Sequence, residues 1–171
     1  MVKIFKNVFT EQTHDDIYKI FHNDLDWKMH NVSETGDNQK FWYADGGKHS
    51  FISDSVRESL IPTFERELNT SNFEYIRFYC NAQTFGQDGM PHKDFDDLEH
   101  YTFLYYPMLE WKMEWGGEMF VYEEDEIFFS WWPKPNSAVL FNSNLRHVGT
   151  APRSRCSEVR YSLAITVRKM E

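Results

Sequence analysis

The stretch Pro91-His92-Lys93-Asp94 carries an H-x-D pair, and His147 follows 53 residues after its carboxylate. Two imidazoles and one carboxylate are the donor set that holds a non-haem Fe(II) on one face and leaves its other positions open. Residues i and i+2 of a strand point to the same side, so one strand edge would present His92 and Asp94 together. His147 must then arrive on a second strand. That requirement points to a β-barrel or jelly roll built around a metal.

Working outward, the chain from Phe73 onward reads as strand and turn. Strands are expected over residues 74–84, 101–106, 118–122, 127–131, 138–141, 147–148 and 159–168. Turn chemistry separates them: Gly86-Gln87-Asp88-Gly89, Gly116-Gly117, the acidic tip 123–126, Pro133-Lys134-Pro135-Asn136 and Asn142-Ser143-Asn144. Aromatic residues make up 18% of the chain, a load that suits strands better than helices. Seven short strands without helical crossovers indicate an antiparallel double sheet, hence a jelly roll with residues 73–171 as its core.

Residues 1–72 carry the helical signals. Thr10 can cap a short helix through about residue 21, with Ile17, Ile20 and Phe21 on its apolar side. Ser53 or Asp54 can cap a second, in which Val56, Leu60, Phe64 and Leu68 recur every four residues. Pro62 interrupts that pattern, so a kink or two short helices are expected. Short strands over 26–32 and 39–44 close on the turn Asp45-Gly46-Gly47. The fold class is mainly β with flanking α, the N-terminal helices packed on one face of the jelly roll.

At 171 residues, with no internal repeat or linker, one domain spanning 1–171 is expected. A net charge of −9 argues against non-specific affinity for nucleic-acid phosphates or anionic membranes, though not against a local basic pocket. Cys80 and Cys156 are too far apart to read as a C-x-x-C pair or a secreted framework, so free thiols in a reducing compartment are expected. The N-terminus lacks a continuous apolar run and no stretch of 18 apolar residues exists, so the protein reads as soluble and cytoplasmic, without signal peptide or membrane span.

An H-x-D pair among seven histidines says little alone; its neighbours say more. Gly86-Gln87-Asp88-Gly89 leads into His92. Then come Tyr101-Thr102-Phe103-Leu104-Tyr105-Tyr106, Trp111, Gly116-Gly117-Glu118, Asn136-Ser137-Ala138-Val139-Leu140-Phe141, Arg146-His147-Val148 and Arg160-Tyr161-Ser162-Leu163-Ala164-Ile165-Thr166-Val167. In this order the segments resemble the Fe(II)/2-oxoglutarate-dependent dioxygenases of the prolyl-hydroxylase type, from about Ile76 to Val167.

The resemblance implies a double-stranded β-helix with iron held by His92, Asp94 and His147. It implies 2-oxoglutarate and O₂ as cosubstrates, with ascorbate as a supporting reductant. Arg160, 13 residues after His147, matches the family's cosubstrate-binding arginine. A guanidinium fork meets a carboxylate with two hydrogen bonds. Ser162 shares the face of Arg160 and can add a hydroxyl. Tyr106 matches a tyrosine that binds the same carboxylate, although Pro107-Met108 follow it where relatives often show Leu-Asn.

Where Asp94 stands, related halogenases have a small residue, so its presence favours hydroxylation. The activity implied is hydroxylation of an unactivated C–H bond, first of a prolyl residue in a peptide or protein, with release of succinate and CO₂. Alternatives are a free amino acid, small molecule or nucleobase as substrate, or a non-catalytic metal-binding jelly roll. Substrate-contacting loops are expected within 26–49 and 96–100. Asp96 is the substitute ligand should Asp94 fail, and Arg153 or Arg155 the substitute for Arg160. Trp111, Trp115, Trp131 and Trp132 read as core or rim.

Overall fold

The computed structural model describes residues 1–33 and 38–171. Its first strands are β1 (Val2–Lys6), β2 (Lys28–Asn31), β3 (Phe41–Asp45), β4 (Phe73–Gln83) and β5 (His100–Tyr106). They are followed by β6 (Met119–Glu123), β7 (Glu126–Trp131), β8 (Ser137–Asn142), β9 (Arg146–Gly149) and β10 (Arg160–Lys169). Two antiparallel sheets result: a seven-stranded one in the order β1-β8-β5-β10-β4-β3-β2, and a three-stranded one in the order β7-β6-β9.

Strand alternation divides β10 between two tasks. Arg160, Ser162 and Ala164 pair with Gln83, Asn81 and Tyr79 of β4. All six side chains line one cavity. The residues between them, Tyr161, Leu163, Ile165 and Val167, are buried on the opposite face in the apolar core. On the other flank, Thr102 and Leu104 of β5 oppose Thr166 and Ala164 and also face the cavity. Phe103 and Tyr105 point the other way, toward the helices.

Two helices cover that apolar face. In α1 (Glu11–Lys19) the Thr10 side chain accepts from the Thr13 amide, and a π-helical turn, Ile20–Asp24, continues the helix. Ile17, Ile20 and Phe21 are buried, and the Phe21 ring meets Tyr161 of β10 at 5.7 Å. In α2 (Arg57–Leu68) the buried stripe is Leu60, Phe64 and Leu68, and the Phe64 ring packs edge-on against Phe103 at 5.6 Å. Fully burying such a phenylalanine stabilises the fold by about 1.5–3 kcal/mol.

Two local expectations are corrected and one strand is added. Neither Ser53 nor Asp54 caps the second helix: a π-helical turn, Phe51–Val56, starts it, with the Ser53 amide already bonded to the His49 carbonyl. Pro62 neither splits nor ends α2, which runs through it. The ring lies on the exposed side, where water can take the carbonyl that its missing N–H leaves free. At the N-terminus, Val2–Lys6 forms a strand that was not anticipated, pairing along all five residues with β8 at the edge of the large sheet.

The acidic tip is a tight hairpin between β6 and β7, with Glu124 in the left-handed region at φ 54°. Both cysteines are free thiols, Cys80 buried. Among the described residues no helix is long and apolar enough to cross a membrane.

Candidate active site

His147 arrives on β9, as a second strand was expected to deliver it. The H-x-D pair itself does not stand on a strand. His92 forms an isolated bridge with His147, exchanging backbone bonds of 2.9 and 2.8 Å, and Asp94 sits in the bend that follows. The bend arises because the amides of Asp94 and Phe95 both donate to the Ser143 carbonyl, at 3.0 and 3.2 Å, which turns the chain away from the bridge. The three side chains converge all the same: one donor atom from each lies within 4.8 Å of the others. His92 Nε2 and His147 Nε2 are each 3.8 Å from an Asp94 oxygen.

Both rings are oriented for metal binding. His92 Nδ1 donates to the Met90 carbonyl at 2.8 Å, and His147 Nδ1 donates to the Leu145 carbonyl at 2.9 Å. These bonds assign the proton to Nδ1 and leave the Nε2 lone pairs facing the carboxylate. Burial pushes the His147 imidazole below its ordinary pKa against the opposing pull of Asp94, which keeps it in the neutral, ligating form. Burial alone would raise Asp94, but His147, Arg77, the Thr102 hydroxyl and His92 together hold it below the usual carboxylate range.

The carboxylate is held from both sides. Thr102 Oγ1 donates to Oδ2 at 2.7 Å, and its own partner is the buried Ser143 hydroxyl at 2.8 Å. Arg77 Nη2 pairs with Oδ1 at 2.6 Å while Arg77 Nε donates to Thr166 Oγ1 at 3.0 Å. The guanidinium is also flanked by the rings of Tyr79 and Phe95, at 4.8 and 5.3 Å. Two imidazoles and one carboxylate held below its usual range, with their remaining polar atoms engaged elsewhere, suit a divalent transition metal.

A cavity of about 280 Å³ runs from this triad to Arg160. The arginine is 2% exposed, yet no carboxylate among the described residues pairs with it. Its Nε donates to the Gly117 carbonyl and its Nη1 to Gln83 Oε1, both at 2.8 Å. Nη2 and the buried Tyr106 hydroxyl make no hydrogen bond of standard geometry, although the two groups are close enough to interact with each other, the Tyr106 ring lying 5.4 Å from the guanidinium carbon. Burial lowers the Arg160 pKa and raises that of Tyr106. Glycines leave room for the arginine: a Cβ on Gly117, at φ 79°, would lie 2.9 Å from Arg160 Cδ, and one on Gly149 3.2 Å from Nη2. A buried cation with unused donors is costly unless an anion arrives. A dicarboxylate that chelates a metal at one end and meets Arg160 at the other fits this cavity. Ser162, two residues from Arg160, lines it as well.

The substitute residues lie elsewhere. The Asp96 side chain is 96% exposed and reaches only Lys93. His100 stacks on Phe95 at 3.9 Å and pairs with Asp97. Arg153 is exposed and pairs with Glu118, and Arg155 is exposed. Trp111 and Trp115 are core residues, while Trp131 and Trp132 are partly buried at its rim. Of the proposed substrate loop 26–49, Val32, Ser33 and Phe41 line the cavity, and residues 34–37 lie outside the described ones. Sequence reading passed over Arg77, Gln83, Thr102 and Ser143. One signal was available: on β4, Arg77, Asn81 and Gln83 alternate with Phe78, Cys80 and Ala82, a polar face against an apolar one.

A family model described as the 2OG-Fe(II) oxygenase superfamily matches residues 76–168. No curated protein matches the chain. Among solved structures, a prolyl hydroxylase from Trichoplax adhaerens, in complex with a hypoxia inducible factor oxygen degradation domain peptide fragment, superposes with a TM-score of 0.73 at 14% identity, over 98% of this chain and 83% of that one. A Pseudomonas putida prolyl-4-hydroxylase gives 0.66 at 17% identity, over 99% and 93%. The epimerase SnoN, in complex with Fe3+, alpha ketoglutarate and nogalamycin RO, gives 0.69 at 10% identity, over 98% and 78%. At these identities the likeness is one of fold.

Proposed function

The chain belongs to the 2OG-Fe(II) oxygenase superfamily, whose cofactor is Fe(II) and whose cosubstrate is 2-oxoglutarate, and from that premise we propose that it hydroxylates an unactivated C–H bond, first of all on a prolyl residue of a peptide or protein. In this reading His92, Asp94 and His147 hold the iron, and Arg160, with Tyr106 and Ser162 beside it, receives the distal carboxylate of 2-oxoglutarate. The observation that carries the reading is the buried Arg160 guanidinium, with Nη2 open and no carboxylate partner among the described residues, in the same cavity as the triad.

When bound, iron and 2-oxoglutarate would let O₂ act as the oxidant: 2-oxoglutarate would give up two electrons and leave as succinate and CO₂ with one oxygen atom, and the substrate C–H bond would take the other. The chain's own residues do the rest. The Nδ1 bonds of the two histidines fix their rings, and Thr102 and Arg77 fix the carboxylate, so the donor set is organised before the ion arrives. Arg160, which lines the cavity, would receive the distal carboxylate with the buried Tyr106 ring beside it, and the apolar walls Phe41, Leu104 and Phe141 limit water around the reacting groups. The triad offers no fourth protein ligand among the described residues, as a closed structural zinc site would.

A small-molecule substrate is the second reading, favoured by the likeness to SnoN, which is crystallised with nogalamycin RO. The proline assignment draws on the two hydroxylases of similar fold. The test is anaerobic titration with Fe(II) and 2-oxoglutarate, then succinate detection under O₂ with proline peptides and a small-molecule panel. Arg160→Ala should weaken 2-oxoglutarate binding by about 2–5 kcal/mol, the cost of truncating one partner of a buried charge pair. Unchanged affinity in that variant would overturn the site. Succinate stimulated by small molecules and never by proline peptides would keep the chemistry and replace the substrate.

A further inference from the structure

We propose that Gln83 is a positioning residue for the cosubstrate: its neutral amide fixes the Arg160 guanidinium without cancelling its charge. This rests on the reading of Arg160 as the 2-oxoglutarate anchor. Gln83 is the last residue of β4, directly opposite Arg160 in the register, and is 4% exposed. Its Nε2 donates to the carbonyls of Gln87 at 2.8 Å and Gly149 at 3.3 Å. Those two acceptors decide the amide orientation, because a flipped amide would set its oxygen against two carbonyl oxygens and its NH₂ against the arginine. Oε1 must therefore face Arg160 Nη1, which it meets at 2.8 Å.

The chemistry of this clamp is selective. A buried arginine is most easily held by a carboxylate, with two parallel hydrogen bonds. Here the two acceptors, the Gly117 carbonyl and the Gln83 amide, take Nε and Nη1 and carry no formal charge. The geometry of an ion pair is supplied while the attraction for an incoming anion is kept. Only Nη2, beside the Tyr106 hydroxyl, is left to meet it. The clamp is anchored in turn. Gln87 Oε1 accepts from the Thr84 amide and hydroxyl at 2.7 and 3.0 Å, Gln87 Nε2 donates to the Lys40 carbonyl at 3.1 Å, and Asp88 Oδ1 accepts from the Ala151 amide at 2.8 Å. The turn that leads to His92 thus also holds the residue that aims Arg160.

The probes are 2-oxoglutarate and 2-oxobutyrate, which share the chelating 2-oxo acid head and differ in the distal carboxylate. Each is titrated anaerobically into Fe(II)-loaded parent, Gln83→Leu and Gln83→Glu, with thermal midpoints recorded alongside. The parent should prefer 2-oxoglutarate strongly. Gln83→Leu, which removes the clamp and keeps the arginine charge, should lose about 10-fold in 2-oxoglutarate affinity. Gln83→Glu, which pairs the charge off, should lose on the order of 100-fold, consistent with the worth of a buried charge partner. Affinity for 2-oxobutyrate should stay within about twofold throughout, a split that a general loosening of the fold would not produce. Should Gln83→Glu fail to fold, Gln83→Leu decides. A parent without preference for 2-oxoglutarate overturns the anchor at Arg160. A parent with that preference, retained in Gln83→Leu or lost equally for both probes, overturns the role of Gln83 alone.

Discussion

Arg77 shows how a single side chain sets the state of a metal ligand before any metal binds. It ties the Asp94 carboxylate to β10 through Thr166, and its charge offsets that of a carboxylate whose side chain is only 13% exposed. An ion bound at the triad would offset the same charge. The two compensations overlap, which gives a prediction with a sign. Arg77→Met should destabilise the metal-free protein by about 1–3 kcal/mol, below the figure for a fully buried pair because the arginine is partly exposed. Saturating Fe(II) should close most of that gap. Urea unfolding of both forms, with and without metal, measures it, and an equal loss in the two states would show that Arg77 acts through packing between Tyr79 and Phe95 rather than through Asp94.

Between elements, the tie of β1 to α2 is electrostatic at one point. Lys3 on β1 pairs with Glu67 of α2, and Arg66 Nε approaches the other Glu67 oxygen at 2.8 Å. Burial works against the Glu67 charge, but the bonds from Lys3 and Arg66 prevail and its pKa is lowered. A carboxylate with a depressed folded pKa contributes stability above its unfolded pKa and loses it as pH falls through the folded one. Glu67→Gln should therefore cost about 0.5–1 kcal/mol near pH 7, a modest figure because the Lys3 and Arg66 side chains are 49% and 62% exposed. The gap to the parent should shrink as pH falls from the ordinary glutamate range through the lowered folded pKa, and a gap that does not narrow across the acid limb would contradict the assignment.

The same edge shows where sequence reading stops. Thr10 and the Ile17, Ile20, Phe21 stripe were legible because a helix is specified by residues a few positions apart. Strand β1 escaped because its five residues gain their meaning only from pairing with β8, more than 130 positions away. Arg160 and the triad were readable as residue types in a recognisable order. Gln83 and Arg77 were readable only as members of a polar strand face; their roles were not, because those come from their register opposite Arg160 and Thr166, which no local pattern states.

At the scale of the whole molecule, the site exists only when distant segments meet. The cavity draws on β3, β4, β5, β8, β9, β10 and the bridge at His92, spanning the chain from Val32 to Ala164. The unfolded chain has the same histidines and carboxylates but no means of holding them together, so metal and cosubstrate bind the native state by far the better. Ligand binding then adds RT ln(1 + [L]/Kd) to stability, about 2.7 kcal/mol at a hundredfold excess over Kd. For a chain of this length, that corresponds to a rise in Tm of about 5–11 °C. Anaerobic Fe(II) should raise the Tm of the parent by this amount, 2-oxoglutarate should raise it further in the Fe(II)-loaded protein, and a chelator should return it to the starting value. In His147→Ala the Fe(II) increment should be lost, since two ligands cannot retain the ion at that concentration. Arg160→Ala should keep the Fe(II) increment and lose most of the 2-oxoglutarate one. An Fe(II) increment undiminished in His147→Ala would place the metal elsewhere on the chain, and the coupling of fold, ion and cosubstrate derived from this cavity would fall with it.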